Sequence, residues 1–280
     1  MQNTKRMKNN FTQRVLTAIV FSFILIGGTV LHPISFFALF FIIIILGLLE
    51  FYKLVEVAEI QPQYFSGILL GMVIFTGNYL FARGMVDFKL FLIIIPVLVT
   101  IMITELYRKK KNPFTNIAFT IFGASYVSIP FAILSWFVFN QSYPANFYPL
   151  MLIGFFVLIW ANDSGAYVVG SLIGKHKLFE RISPKKTWEG FLGGGLFSLL
   201  AAWLISYYVD VISLTDWLVI ATLTFIFGTF GDLLESLLKR MVNVKDSGQI
   251  MPGHGGILDR FDSLIIAAPM VFIYLMIILK

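Results

Sequence analysis

The chain has 280 residues, 58% of them hydrophobic and 13% charged, with a net charge of +6 and a mean hydropathy of +0.86. A soluble domain carries about 45–50% apolar and about 25% charged residues, so a globular domain around one large core is excluded. The chain has no cysteine, which also excludes disulfides and thiolate chemistry. Apolar runs long enough to cross a bilayer recur along the chain. They lack the two-residue alternation of a transmembrane barrel. The expected fold is therefore an all-α polytopic integral membrane protein of about nine transmembrane helices.

Residues 1–14 are a basic tail with Lys5, Arg6, Lys8 and Arg14. The apolar run after it is too long for a signal peptide and no cleavage site follows, so it reads as a retained first span. Span one is Val15–Leu31, broken by His32-Pro33. Span two is Ile34–Phe51, span three Phe65–Ala82, and span four Leu90–Tyr107, which stops at Arg108-Lys109-Lys110-Lys111. Span five, Asn116–Phe139, contains Pro130 as a kink. These five spans form an N-terminal membrane region over residues 15–145.

Residues 146–280 form a second region, spans six to nine, that holds the polar motifs. Span six begins at Phe147, and Asn162 and Asp163 interrupt what is otherwise one long helix. Span seven is Phe191–Val209, span eight Trp217–Leu238 and span nine Leu264–Ile278. Basic links follow spans four, six and eight, whereas the links after one, five and seven hold no Lys or Arg; Arg83 and Lys89 after span three run against the trend. The positive-inside rule then places the N-terminus in the cytoplasm and the C-terminus outside, with both charged clusters on the cytoplasmic side. The net positive charge fits loop bias and anionic substrates rather than nucleic acid.

Nine charges fall between Asp232 and Asp262, and eight more between Asp163 and Glu189, out of 36 in the chain. In so apolar a protein, charge inside spans is costly and marks function. Asp232, Glu235 and Lys239 share one helix face, as do Asp259 and Asp262 if span nine begins early. Two carboxylates from one helix and one from another suit an oxygen-ligated cation such as Mg²⁺. Structural ion pairs with Lys239, Arg240 and Arg260 are the alternative. The loop Lys245–Gly256 is rich in glycine, and its bared N–H groups with Lys239, Arg240 and Lys245 suit a polyphosphate; an ordinary surface turn is the competing reading. His254 is open to a general-base or a structural role. Ser183-Pro184 reads as a helix start with Lys185 and Lys186 in the first turn, where cations oppose the helix dipole unless an anion binds. As simple topology signals they need no anion. His176 and Lys177 read as surface link residues.

The string Ser236-Leu237-Leu238-Lys239-Arg240, then Lys245-Asp246, then Pro252-Gly253-His254-Gly255-Gly256-Ile257-Leu258-Asp259-Arg260-Phe261-Asp262 closely resembles the signature of the phosphatidate cytidylyltransferases. Asp163-Ser164-Gly165-Ala166-Tyr167 and Ser183-Pro184-Lys185-Lys186-Thr187-Trp188-Glu189-Gly190 resemble motifs of the same family. Met251 stands where Leu, Ile or Phe is usual, and the resemblance covers about residues 160–263. It implies condensation of CTP with phosphatidic acid to CDP-diacylglycerol and pyrophosphate in phospholipid biosynthesis, at a cytoplasmic-side active site, with Mg²⁺ and possibly a second cation. It also implies a homodimer, in the cell membrane if the source is bacterial. By this resemblance Asp232, Asp259 and Asp262 hold metal, and Lys239, Arg240, Lys245, Asp246 and His254 belong to the catalytic cavity. Ser183, Lys185, Lys186, Lys239, Arg240, Gly255 and Gly256 would contact substrate phosphates. A transporter, suggested by buried acids and a broken span six, and a lipid enzyme acting on a different lipid are the rival readings.

Overall fold

The structure, a computed structural model, describes residues 17–140, 142, 143, 145–244, 246–248 and 255–279. It is built of helices: α1 (Thr17–Val30), α2 (Pro33–Glu56), α3 (Tyr64–Ala82), α4 (Ile94–Arg108, entered through a 3₁₀ turn at Phe88–Ile93), α5 (Pro113–Ile133), the short α6 (Ser135–Val138), α7 (Leu150–Ile173), α8 (Trp188–Ile205), α9 (Leu214–Met241) and α10 (Leu258–Ile278). Among the described residues eight helical stretches are long and apolar enough to cross a membrane, and α1 is a shorter apolar helix. The protein is thus an all-α multi-pass membrane protein, and eight of the nine expected spans have full spanning length.

Local chemistry sets the helix starts. His32 caps α2: its Nδ1 accepts the N–H of Ile34 at 3.1 Å, its own N–H donates to Ser35 Oγ at 3.0 Å, and Pro33 occupies the first turn. Ser213 and Asp216 form the reciprocal cap of α9. Pro130 lies inside α5, and the helix gives way at Leu134 to α6. The tight links between α8 and α9 are closed by the buried Trp217, whose Nε1 donates to Val209 O at 3.0 Å.

Two parts of the sequence reading need correction. α7 runs unbroken through Asn162 and Asp163, so these polar residues sit on a continuous helix and the broken-span argument for a transporter falls away. Ser183-Pro184 does not start a helix: Ser183–Thr187 is a strand (β2) paired antiparallel with Lys177–Phe179 (β1). The helix start lies at Trp188, where Thr187 Oγ1 accepts the N–H of Gly190 at 3.1 Å. A Ser-Pro pair is compatible with a strand edge as well as with a helix entry, and Thr187 is the better cap because its position leaves the N–H of Gly190 free to pair with it. Glu189 then reaches back to accept the N–H groups of Lys175 at 3.1 Å and His176 at 3.2 Å and meets His176 Nδ1 at 2.6 Å. The hairpin is thereby tied to the head of α8.

Without water to expel between helices, packing inside a bilayer depends on close backbone approach and van der Waals fit. Gly190, Gly193 and Gly194 give α8 a small-residue face against α7. In the N-terminal helices the fit is aromatic instead: Phe36, Phe40, Phe75, Tyr79 and Phe131 are buried among one another. Phe261 of α10 packs edge-on against Phe131 of α5 with ring centres 5.0 Å apart, which joins the two regions.

Candidate active site

A cavity of about 480 Å³ lies between α7, the hairpin, and the heads or midsections of α8, α9 and α10. Asn162, Asp163, Lys185, Lys186, Asp232 and Ser263 give its polar wall, while Ala166, Leu178 and Phe191 keep another wall apolar. Lys186 Nζ and Asp232 Oδ2 are 2.6 Å apart and both partly exposed into this space. The hairpin is what places the two lysines there. Its short strands fold back over the C-terminal end of α7 and hand the chain to α8 beside Asp163.

Asp232 and Asp262 are neighbours because α9 and α10 come unusually close. A Cβ on Gly231 would collide with the backbone carbonyl of Asp262, so only glycine permits this crossing. α10 begins at Leu258, earlier than span nine was drawn, which puts Asp259 and Asp262 on one helix as the face argument required. The charges of Asp232, Glu235 and Asp163 all act on the Asp262 carboxylate. Asp163 in turn feels Asp232, Lys186 and Arg260. The Asp262 carboxylate accepts the N–H of Ser263 at 2.6 Å, and no ion pair of Asp262 occurs among the described residues.

One helical turn away stands a second polar group. Lys239 Nζ lies 2.9 Å from Glu235 Oε2 and 2.6 Å from Asp259 Oδ1. The other Asp259 oxygen accepts the N–H groups of Ser247 at 2.9 Å and Gly256 at 2.8 Å, and the Ser247 hydroxyl at 3.0 Å. Asp259 is therefore saturated by donors and braces the loop that follows α9. Gly255 carries φ +85°, a left-handed conformation that suits glycine. Arg240 is exposed and donates to the carbonyls of Ile182 at 3.5 Å and Val244 at 3.3 Å, which leans the end of α9 on the hairpin. Ser183 sits in β2 opposite Phe179, and Asp246 is exposed. Lys245 and His254 lie outside the described residues, as does Met251.

Of the residues singled out from sequence, Lys185, Lys186 and Asp232 thus share one cavity with Asp163. Lys239, Asp259 and Gly256 share the neighbouring knot, and Asp262 lies between. Among the described residues no group of three or more His, Cys, Asp or Glu is arranged closely enough to hold a metal ion by itself. The donor chemistry nevertheless fits a hard cation: Asp163, Asp232 and Asp262 present only oxygen ligands, and among the described residues Lys186 is the one cation within ion-pair distance of any of the three.

Two residues escaped the sequence reading. Glu50 of α2 accepts the N–H of Leu258 at 3.0 Å through Oε2. Tyr126 of α5 buries its hydroxyl near the charges of Glu235 and Asp262, without a hydrogen-bond partner among the described residues. The available signal was the one that exposed Asp163: an ionisable or polar group inside an apolar run.

The fold and this cavity define a multi-pass membrane protein with an amphipathic, charge-lined chamber in its C-terminal helices. The chain belongs to the cytidylyltransferase family, whose model matches residues 12–278. It is similar to the phosphatidate cytidylyltransferase of Bacillus subtilis (strain 168), with 37% identity over 277 residues, 96% of this chain and 97% of that protein. It is also similar to the phosphatidate cytidylyltransferases of Staphylococcus haemolyticus, at 42% identity, and Staphylococcus saprophyticus, at 44%. Each of those matches spans 169 residues, 60% of this chain and 62% of the other.

Proposed function

We propose that the protein condenses CTP with phosphatidic acid, giving CDP-diacylglycerol and pyrophosphate. The observation that carries this reading is the Lys186–Asp232 pair opening onto a cavity with one charged and one apolar wall. A lipid phosphate has the same two-sided character. Support also comes from family membership and from the names of the similar proteins.

In this reaction an oxygen of the phosphatidate phosphate forms a bond to the α-phosphorus of CTP, and the bond from that phosphorus to the β-phosphate oxygen breaks. The electron pair leaves with pyrophosphate. The nucleophile is already ionised near neutral pH, so no side chain needs to act as a strong base or as a covalent nucleophile. The obstacle is repulsion. Two unit charges about 4 Å apart repel by about 4 kcal/mol at an effective dielectric of about 20, equivalent to about a thousandfold in rate. Lys185 and Lys186 on the cavity wall supply compensating charge at fixed positions. Lys239 is held by Glu235 and Asp259, a knot that fixes the end of α9 and the loop beyond it. The remaining contribution is orientation of the two substrates in line.

Asp163, Asp232 and Asp262 are the groups that would hold Mg²⁺, with Asp259 of the expected set committed to Lys239 and the loop. Mg²⁺ bound there would neutralise phosphate charge and stabilise the leaving pyrophosphate. Phosphate contacts by Ser183, Arg240, Lys245, Gly255 and Gly256, a second cation, a homodimer and a cytoplasmic N-terminus in the cell membrane belong to the same reading.

The test is transfer of label from α-labelled CTP into lipid by the purified chain, with phosphatidic acid present or absent and Mg²⁺ titrated. Label in lipid only with phosphatidic acid and divalent cation supports the reading. No transfer, or transfer unaffected by chelator, sinks the activity or the metal assignment respectively. A homodimer is checked by the mass of the detergent-solubilised particle, and the N-terminal orientation by accessibility of a tag at residue 1 in sealed vesicles.

A further inference from the structure

Glu50 is 3% exposed, and no ion pair among the described residues includes it. A buried carboxyl group without a cation is costly unless a hydrogen bond holds it. The one that holds it comes from far along the chain: Oε2 accepts the N–H of Leu258 at 3.0 Å, and the Ile257 backbone and Ser247 side chain lie beside the same carboxylate. Ser247 also serves Asp259: its N–H and that of Gly256 donate to Asp259 Oδ2. Glu50 and Asp259 therefore both lie against Ser247 and the Gly256–Leu258 turn, described residues at either end of the glycine-rich segment.

Gly248 and Gly256 leave the room that this carboxylate occupies. The three atoms nearest to a Cβ placed on Gly248 all belong to the Glu50 side chain, and the nearest two, Oε1 and Cδ, are so close that the carboxylate would have to shift. A Cβ on Gly256 would meet Glu50 and Ser247 in the same way. Gly248 does not have positive φ, so its backbone would accept alanine, and the obstacle is Glu50. The remaining Glu50 oxygen, Oε1, has no hydrogen-bond partner among the described residues; it is the oxygen that presses on Gly248.

We propose that Glu50 is a positioning residue for the reaction: it fixes the turn into α10, and through Ser247 and Gly256 it sets where Asp259 receives Lys239. The N-terminal helices thereby brace a site whose other charged groups named above come from the C-terminal region. The inference rests on the reading of that site as a cytidylyl-transfer centre.

The full chain is purified with Glu50→Ala, Glu50→Gln, Gly248→Ala and the Glu50→Ala/Gly248→Ala double change, and label transfer is measured against CTP concentration alongside thermal unfolding. Glu50→Ala is expected to lower kcat by about 100-fold, with KM for CTP changed by less than about threefold, because a misplaced loop damages orientation more than binding. Glu50→Gln, which keeps an oxygen acceptor for the Leu258 N–H, is expected to recover at least about tenfold of that loss. Gly248→Ala is expected to cost about tenfold in the native background but less than about twofold once Glu50 is alanine, since neighbouring groups that share a contact are non-additive. Wild-type kcat in Glu50→Ala, a glutamine variant no better than alanine, or equal cost of Gly248→Ala in both backgrounds each overturns the proposal. If Glu50→Ala does not fold, Glu50→Asp, which withdraws the carboxylate by one methylene, takes its place in the cycle with the same criteria. A wild-type chain that transfers no label sinks the functional reading itself, an outcome distinct from an active wild type with indifferent Glu50 variants.

Discussion

Glu105 in the N-terminal helices and the Asp163, Asp232 and Asp262 group in the C-terminal helices both place carboxylates inside an apolar bundle, and they are treated in opposite ways. Glu105 is 4% exposed, yet both of its oxygens are served. Asn116 Nδ2 donates to one at 2.9 Å, while Gln63 Nε2 at 2.8 Å and Arg108 at 2.7 Å donate to the other. The knot pins the start of α5, the link before α3 and the end of α4 to one another, and it leaves nothing for a ligand. The C-terminal group has three acids opening on or near a cavity and, among the described residues, one lysine in ion-pair contact with one of them. A charged cluster whose own partners fall short is the one that recognises something from outside, whereas a fully satisfied cluster is architecture.

Neutralising one acid on each side should separate these roles. Asp232→Asn keeps shape and removes charge, and is expected to lower kcat by about 100- to 1,000-fold with little change in the unfolding midpoint, read in the CTP label-transfer assay. If turnover stays at the wild-type level under limiting Mg²⁺, the cavity is not the reactive one. Glu105→Ala removes the acceptor shared by Arg108 and two amides, each of which keeps a backbone carbonyl, and is expected to cost about 1–3 kcal/mol of stability. Turnover per folded molecule should then stay within about twofold of wild type, because the knot and the cavity share no partners. A large kcat loss in protein that unfolds normally would merge the two regions and defeat the comparison.

Smaller effects sharpen it. Gly231→Ala forces α9 away from the Asp262 carbonyl and is expected to cost about 1–3 kcal/mol by overpacking, with a fall of about tenfold in kcat as Asp232 and Asp262 separate. Tyr274→Phe removes the 2.7 Å hydrogen bond to Asp216, at the opposite end of α9 from the cavity. It is expected to cost about 1 kcal/mol and no activity, which a thermal melt and the same assay would check.

Much of this was legible in the residues. Hydropathy located the spans, with boundaries set a few residues off by caps such as Ser213 and Thr187. Helical spacing put Glu235 with Lys239, and Asp259 with Asp262, because those relations are local and period 3.6 reports them. The meeting of Lys186 with Asp232 was not legible, since nothing local in either segment encodes a contact between a hairpin and a distant helix. The hairpin itself was missed because its strands of three and five residues are too short to show alternation, and Ser183-Pro184 carries the composition of a helix entry. Glu50 and Glu105 were passed over because each lies near the end of an apolar span, where a charge reads as a boundary.

The Lys186–Asp232 contact carries one more consequence. Paired at 2.6 Å, the two groups offset each other, so neither a bare ammonium nor a bare carboxylate faces the apolar wall. On the reading proposed above, a substrate phosphate would compete with Asp232 for the Lys186 ammonium, and its capture would release the aspartate in the same exchange. One anion would then replace another at nearly constant local charge.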